Sequence, residues 1–326
     1  MNRVGSYAYL HGKLHGMIAK SFLEDRFKTL QKLASLSDVY RALFPNEPLE
    51  VSEKDLVTTI QRKHDERLLQ WFLKILDLFP SPPPLLIHLV RRYEIRNVKT
   101  IFRRAHSGVL SSVFWNLKRY GSFIPMEGEP AQVLKNTSYA YLIELAEKKP
   151  LWALEFELDE QYYRGLLKEI QSLPGYERSI LLPPFLKELE LINIVWALRL
   201  RYFYRVSLED TLERMFLKET VKVERTIQEL FDLPWDEPER WRQWRYGWLV
   251  GTTPEGKVDP VPADWRSIRY QYSGYRKLFY HHPFTLAFVY GFFRMKEYEG
   301  RLVNSVTEGI HTGVSETELQ DFLESV

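Results

Sequence analysis

Tyr93-Glu94-Ile95-Arg96-Asn97-Val98-Lys99-Thr100-Ile101-Phe102-Arg103 and Leu189-Glu190-Leu191-Ile192-Asn193-Ile194-Val195-Trp196-Ala197-Leu198-Arg199 carry one pattern. Each reads Glu-x-x-Asn, then an apolar residue, then Arg six positions after the Asn. Each also follows a proline cluster, Ser81-Pro82-Pro83-Pro84 or Pro183-Pro184. Glu94 and Glu190 lie 96 positions apart. A degraded third copy follows His282-Pro283: Lys296-Glu297-Tyr298-Glu299-Gly300-Arg301-Leu302-Val303 sets Glu299 109 positions beyond Glu190 and has Leu302 where the Asn would stand. Copies at this spacing fill the chain and predict a stack or ring of like helical modules. Their approximate bounds are 1–108, 109–206 and 207–326.

On a helix, Tyr93, Asn97 and Ile101 share a face, as do Leu189, Asn193 and Trp196. The amide therefore sits on or beside an apolar stripe, where it is costly unless hydrogen-bonded at both ends. The expectation is a packing device that fixes how one helix crosses its neighbour. Arg103 and Arg199 fall on another face, free to snorkel or to pair. Contact with a partner is the rival reading of the same residues.

Working outward, helical spacing dominates. Leu23, Phe27, Leu30 and Leu33 recur at helical intervals, as do Leu68, Phe72, Ile75 and Phe79, and Met215, Val221 and Val223 to Phe231 continue the theme. Alternating β-branched stretches are scarce, which predicts an all-α protein. The proline clusters and the stretch from Gly251 to Pro262 read as breakers, the last as an irregular loop.

The 326 residues suffice for a sizeable core. With no Cys, thiolate catalysis, zinc-finger sites and iron–sulfur ligation are excluded. A net charge of +2 gives no global case for nucleic acid. Met1 to Gly16 lacks the apolar run of a secretory leader, and no window is long and apolar enough to span a bilayer. The expectation is a soluble chain, or one seated on a membrane protein.

Motifs that suggest chemistry fail on inspection. Gly251-Thr252-Thr253-Pro254-Glu255-Gly256-Lys257-Val258 nearly spells a phosphate loop, but Val258 offers no hydroxyl and Asp259-Pro260-Val261-Pro262 cannot continue as a helix. His11 and His15 have metal-ligand spacing without the glutamate or a third ligand, so they read as ordinary surface histidines. His281-His282 is weaker still. No cofactor is called for. Arg91, Arg92, Arg96, Lys99, Arg103 and Arg104 crowd one segment, and Arg199, Arg201 and Arg205 interleave with Tyr202, Phe203 and Tyr204. Among these, Arg91, Arg92, Arg96, Arg104, Arg201 and Arg205 are candidates for contact with a partner. They suit an acidic protein surface, or alternatively RNA bound by a soluble helical scaffold.

The repeated Glu-x-x-Asn helices, the Lys296 to Glu299 ending, the Ser35-Leu36-Ser37-Asp38-Val39 turn and the Glu157-Leu158-Asp159-Glu160-Gln161-Tyr162-Tyr163 segment together resemble one family. It is that of the C subunit of bacterial and archaeal V-type ATPases, known as the d subunit in the vacuolar enzyme. Leu302, Lys13, His15 and the Trp-rich stretch from Arg240 to Pro262 depart from its pattern. The resemblance implies a funnel of three helical units with pseudo-threefold symmetry, without an active site. It implies one copy per complex, at the cytoplasmic face of the membrane. There it would join the central-shaft subunits to the proteolipid rotor ring and pass torque between ATP turnover and ion transport.

Overall fold

The computed structural model describes residues 3–107 and 113–314. It is all-α, with one two-stranded ribbon among the described residues. In chain order the helices are α1 (Arg3–Ile18), α2 (Asp25–Gln31), α3 (Leu36–Leu43), α4 (Leu56–Leu76), α5 (Pro84–Ser107), α6 (Pro130–Leu134), α7 (Tyr141–Lys148), α8 (Leu151–Gln171), α9 (Gly175–Tyr202), α10 (Leu208–Glu213), α11 (Glu224–Asp232), α12 (Pro238–Gln243), α13 (Ala263–His281) and α14 (Leu286–His311). The strands are β1 (Gly251–Thr252) and β2 (Val258–Asp259).

Contacts divide the chain into two compact units, each assembled from two stretches: Met1–Lys13 with Thr58–Pro174, and Leu14–Val57 with Gly175–Val326. In the first, α5 packs along α8. Leu86, Leu89, Val90, Val98 and Ile101 of α5 are buried, as are Leu158, Leu166 and Ile170 of α8. Each such side chain contributes roughly 1.5–3 kcal/mol on leaving water. Gly165 permits the close approach: a Cβ there would lie 2.1 Å from Cε1 of His88.

In the second unit, α13 and α14 form a hairpin packed on α9, while α2 and α3 cover α14. Every residue from Leu286 to Lys296 is buried. A helix segment buried on all sides belongs at the centre of its unit. Gly291 is the contact point with α13, where a Cβ would fall 2.8 Å from both Phe279 N and Tyr275 O.

The breakers behave unequally. Pro84 opens α5 as its first residue, a position where a missing N–H costs nothing. Pro183 and Pro184, read as a helix break, instead lie inside α9. The N–H bonds they lack would have gone to the carbonyls of Ser179 and Ile180, an exposed and a half-buried residue near the helix start. The stretch from Met215 to Val223, read as helical, is a run of turns. The near phosphate loop is the β1–β2 hairpin, with Gly256 at φ +78°. Its Gly256 N–H is bonded to Thr253 O and its Val258 N–H to Trp235 O.

Candidate functional site

Asn97 is buried, and its amide closes a two-bond ring with the backbone of Trp115. Nδ2 donates to Trp115 O at 2.8 Å and Oδ1 accepts from Trp115 N–H at 2.8 Å. Asn193, wholly buried, repeats the arrangement with Phe216: 2.9 Å to the carbonyl and 2.7 Å from the N–H. Both amides are satisfied by the segment that follows their own helix, not by a crossing helix. The spacing to that segment differs, 18 residues in one copy and 23 in the other, which is why no fixed sequence interval announces it. At the third position Leu302 is simply buried.

The three glutamates are acceptors of a similar kind. Buried Glu94 takes bonds from Ser122 N–H at 2.5 Å, the Ser122 hydroxyl at 2.8 Å and the Tyr139 hydroxyl at 2.9 Å. Burial, then the Glu94 charge, pushes the Tyr139 phenol well above its ordinary range, so it stays a donor. Glu190 accepts from Lys187 Nζ at 2.7 Å and from the Tyr246 hydroxyl. Burial would raise Glu190, but those two donors outweigh it and hold the carboxyl below the usual carboxylate value. Glu299 accepts from Phe22 N–H at 2.7 Å and from Lys296, which also reaches the Ser21 hydroxyl at 2.9 Å. A basic residue stands three positions before each glutamate: Arg91, Lys187 and Lys296. In the last two copies it pairs with the glutamate directly. That interval was legible in the sequence and was not read from it.

The predicted cations are mostly engaged within the chain. Arg103 grips Glu155 through two bonds of 2.5 and 2.7 Å, and Arg199 meets Asp264 at 3.0 Å. Arg96 pairs with Asp65 at 2.7 Å, Lys99 with Asp159 at 2.6 Å and Arg104 with Glu127 at 2.9 Å. Arg201 donates to the carbonyls of Leu230 and Leu233 and lies 4.7 Å from the ring centre of Trp235. It thereby anchors the end of α11 and the segment just after it to α9. Arg91 and Arg205 are exposed, and Arg92 is half-buried. These internal pairs leave the RNA-binding reading little free charge.

Sequence reading also missed a buried pair. Arg294 of α14 bonds Glu188 of α9 and meets Glu297 at 2.8 Å, while Tyr275 of α13 donates to Glu188 at 2.6 Å. Three helices are thus tied at one point. The available signal was Arg294 and Lys296 interrupting an apolar run, since charge so placed is buried only when paired. His15, expected at the surface, is half-buried, its ring centroid 4.6 Å from that of Phe279 and 5.7 Å from that of Phe288. Among the described residues no three His, Asp or Glu side chains stand together as a metal site, and no helix is long and apolar enough to cross a membrane. What the arrangement does chemically is fix backbone to side chain at several points.

The profile of the ATP synthase (C/AC39) subunit family matches residues 10–322. A protein of Treponema pallidum described as uncharacterized is 26% identical, across 97% of this chain and 95% of its own length. The C subunit of the A-type ATP synthase of Methanosarcina barkeri is 23% identical, across 73% of this chain and 69% of its own. Its counterpart in Methanosarcina mazei is similar to the same degree, 23% over the same shares of the two chains.

Proposed function

The chain belongs to the ATP synthase (C/AC39) subunit family, and we propose that its place there is the central stalk. It is a non-catalytic socket, the counterpart of the vacuolar d subunit, that seats the shaft on the membrane rotor ring and transmits torque between ATP turnover and ion transport. The observation carrying this reading is the family match from residue 10 to 322, reaching nearly end to end. The side-chain geometry supports it. A torque-bearing part must resist shear, and both amides and all three glutamates of the repeat tie helices to segments distant in sequence. Three units bounded near 108 and 206, arranged as a funnel, belong to the same proposal. So do a peripheral position at the cytoplasmic face, a single copy per complex, and partner contacts through Arg91 and Arg205.

The test is affinity purification of the tagged full chain from detergent-solubilised membranes. Shaft subunits and the proteolipid ring are expected to accompany it. In membranes lacking the chain, ATP hydrolysis should no longer drive ion transport. Purification of the chain alone, or coupled transport in its absence, sinks the reading.

A further inference from the structure

The outward side of α13 carries an uncommon mixture. Arg269, Ser273, Arg276, Lys277 and Tyr280 fall within an arc of about 100° on the helix, flanked by Tyr270 and His281. All of these are exposed. The stripe continues sideways to Trp248, whose ring centroid is 5.2 Å from that of Tyr270. Three large rings therefore stand open: Trp248 at 40%, Tyr270 at 47% and Tyr280 at 43% of full exposure. A hollow of about 460 Å³ runs beside Arg276, Lys277 and Tyr280.

The charge is one-sided. Glu24 is the single carboxylate lining that hollow, and it is held by Arg276 at 2.7 Å. Lys277 has no ion-pair partner among the described residues. In a chain whose net charge is +2, such a local excess is not a general property of the surface. Aromatic rings with arginine are what protein interfaces concentrate, whereas plain solvated faces carry Lys and Glu. The stripe is also rigid, because the opposite face of α13 is locked on α14 through Gly291 and tied to Glu188 through Tyr275. Rigid anchors lose little entropy on binding.

We propose that this face of α13 is a docking surface for an acidic amphipathic helix of another ATP synthase subunit. Its carboxylates would meet Arg269, Arg276 and Lys277, and its apolar residues would cover Trp248, Tyr270 and Tyr280. This rests on the stalk reading above and adds to it the face that is used and the chemistry of what is bound.

Two experiments on the full chain test it. First, Lys277→Glu should lower recovery of the partner subunits from membranes by about tenfold or more, with an unchanged melting temperature, since Lys277 is exposed. Lys54→Glu with Lys135→Glu, which moves net charge further in the same direction on other exposed positions, should leave recovery intact. Equal recovery with the first variant overturns the docking face while the stalk reading stands. Failure of the unaltered chain to recover partners overturns both. Second, the absence of native Cys allows Ser273→Cys to carry a single photocrosslinker. Adducts on an Asp- or Glu-rich helical segment of another subunit are expected. Adducts on phospholipid, on a second copy of the chain, or on nothing overturn the assignment.

Discussion

A buried amide is worth having only when both of its ends are used, and Asn97 and Asn193 each use both on a single backbone unit. Replacing either with Ala strands an N–H and a carbonyl in the interior, and each variant should lose about 1–3 kcal/mol in urea unfolding. Asn→Asp is the sharper probe. The carboxylate still accepts from Trp115 N–H but faces the Trp115 carbonyl with a second oxygen, so it should be no better than Ala at neutral pH. Rescue by Asp would mean that only the acceptor matters. His88 supplies a pH effect. Its Nε2 donates to Tyr162 O at 2.9 Å, and burial holds the imidazole below its ordinary 6.5. The folded chain thus stays neutral there while the unfolded chain takes a proton. That stability is complete above about pH 6.5 and is lost as pH falls from there toward the lowered value. The unfolding midpoint should drop as pH falls below about 6.5, and His88→Gln, which keeps a donor for Tyr162 O, should flatten that part of the profile. An equal slope in the variant would assign the effect to another group.

Among elements, the α13–α14 hairpin is set by two glycines of opposite character. At Gly291 an added methyl meets the backbone of α13 itself, which cannot turn aside. Gly291→Ala should destabilise by about 1–3 kcal/mol, as overpacked cores do. Gly274 in α13 has nothing within 4 Å of its would-be Cβ. Gly274→Ala should therefore stabilise by roughly 0.5–1 kcal/mol through helix propensity alone. Thermal melts of the pair check both signs, and a stabilising Gly291→Ala would mean the helices separate freely. Helix α9 shows how an element can override a local signal. Its prolines remove two intrahelical bonds near the helix start, while Leu181, Phe185 and Leu189 stay buried on the same helix, so packing outweighs the lost bonds.

At the scale of the whole molecule, the proposal is that a stiff, non-catalytic part works by what it holds. Reversing exposed cations should then affect assembly and not folding. Arg91→Glu with Arg205→Glu is expected to weaken association with the rest of the ATP synthase while leaving the melting temperature within about 1 °C, since exposed charges contribute little to stability. A large loss of stability would place those arginines in the fold instead of at an interface.

The sequence alone determined the all-α class, because apolar residues at helical intervals leave no other face to bury. It determined also that Asn97 and Asn193 needed partners, because an amide on an apolar stripe is too costly alone. The family resemblance was likewise legible in the order of the motifs. It did not determine who those partners are. Trp115 and Phe216 reach the amides, Tyr139 and Tyr246 the glutamates, and Arg294 pairs with Glu188, across separations from 18 to 106 residues. No local propensity reports such distances. Only the tertiary structure decided them, because a hydrogen bond is chosen by proximity after the helices have packed, and one sequence pattern is compatible with many packings.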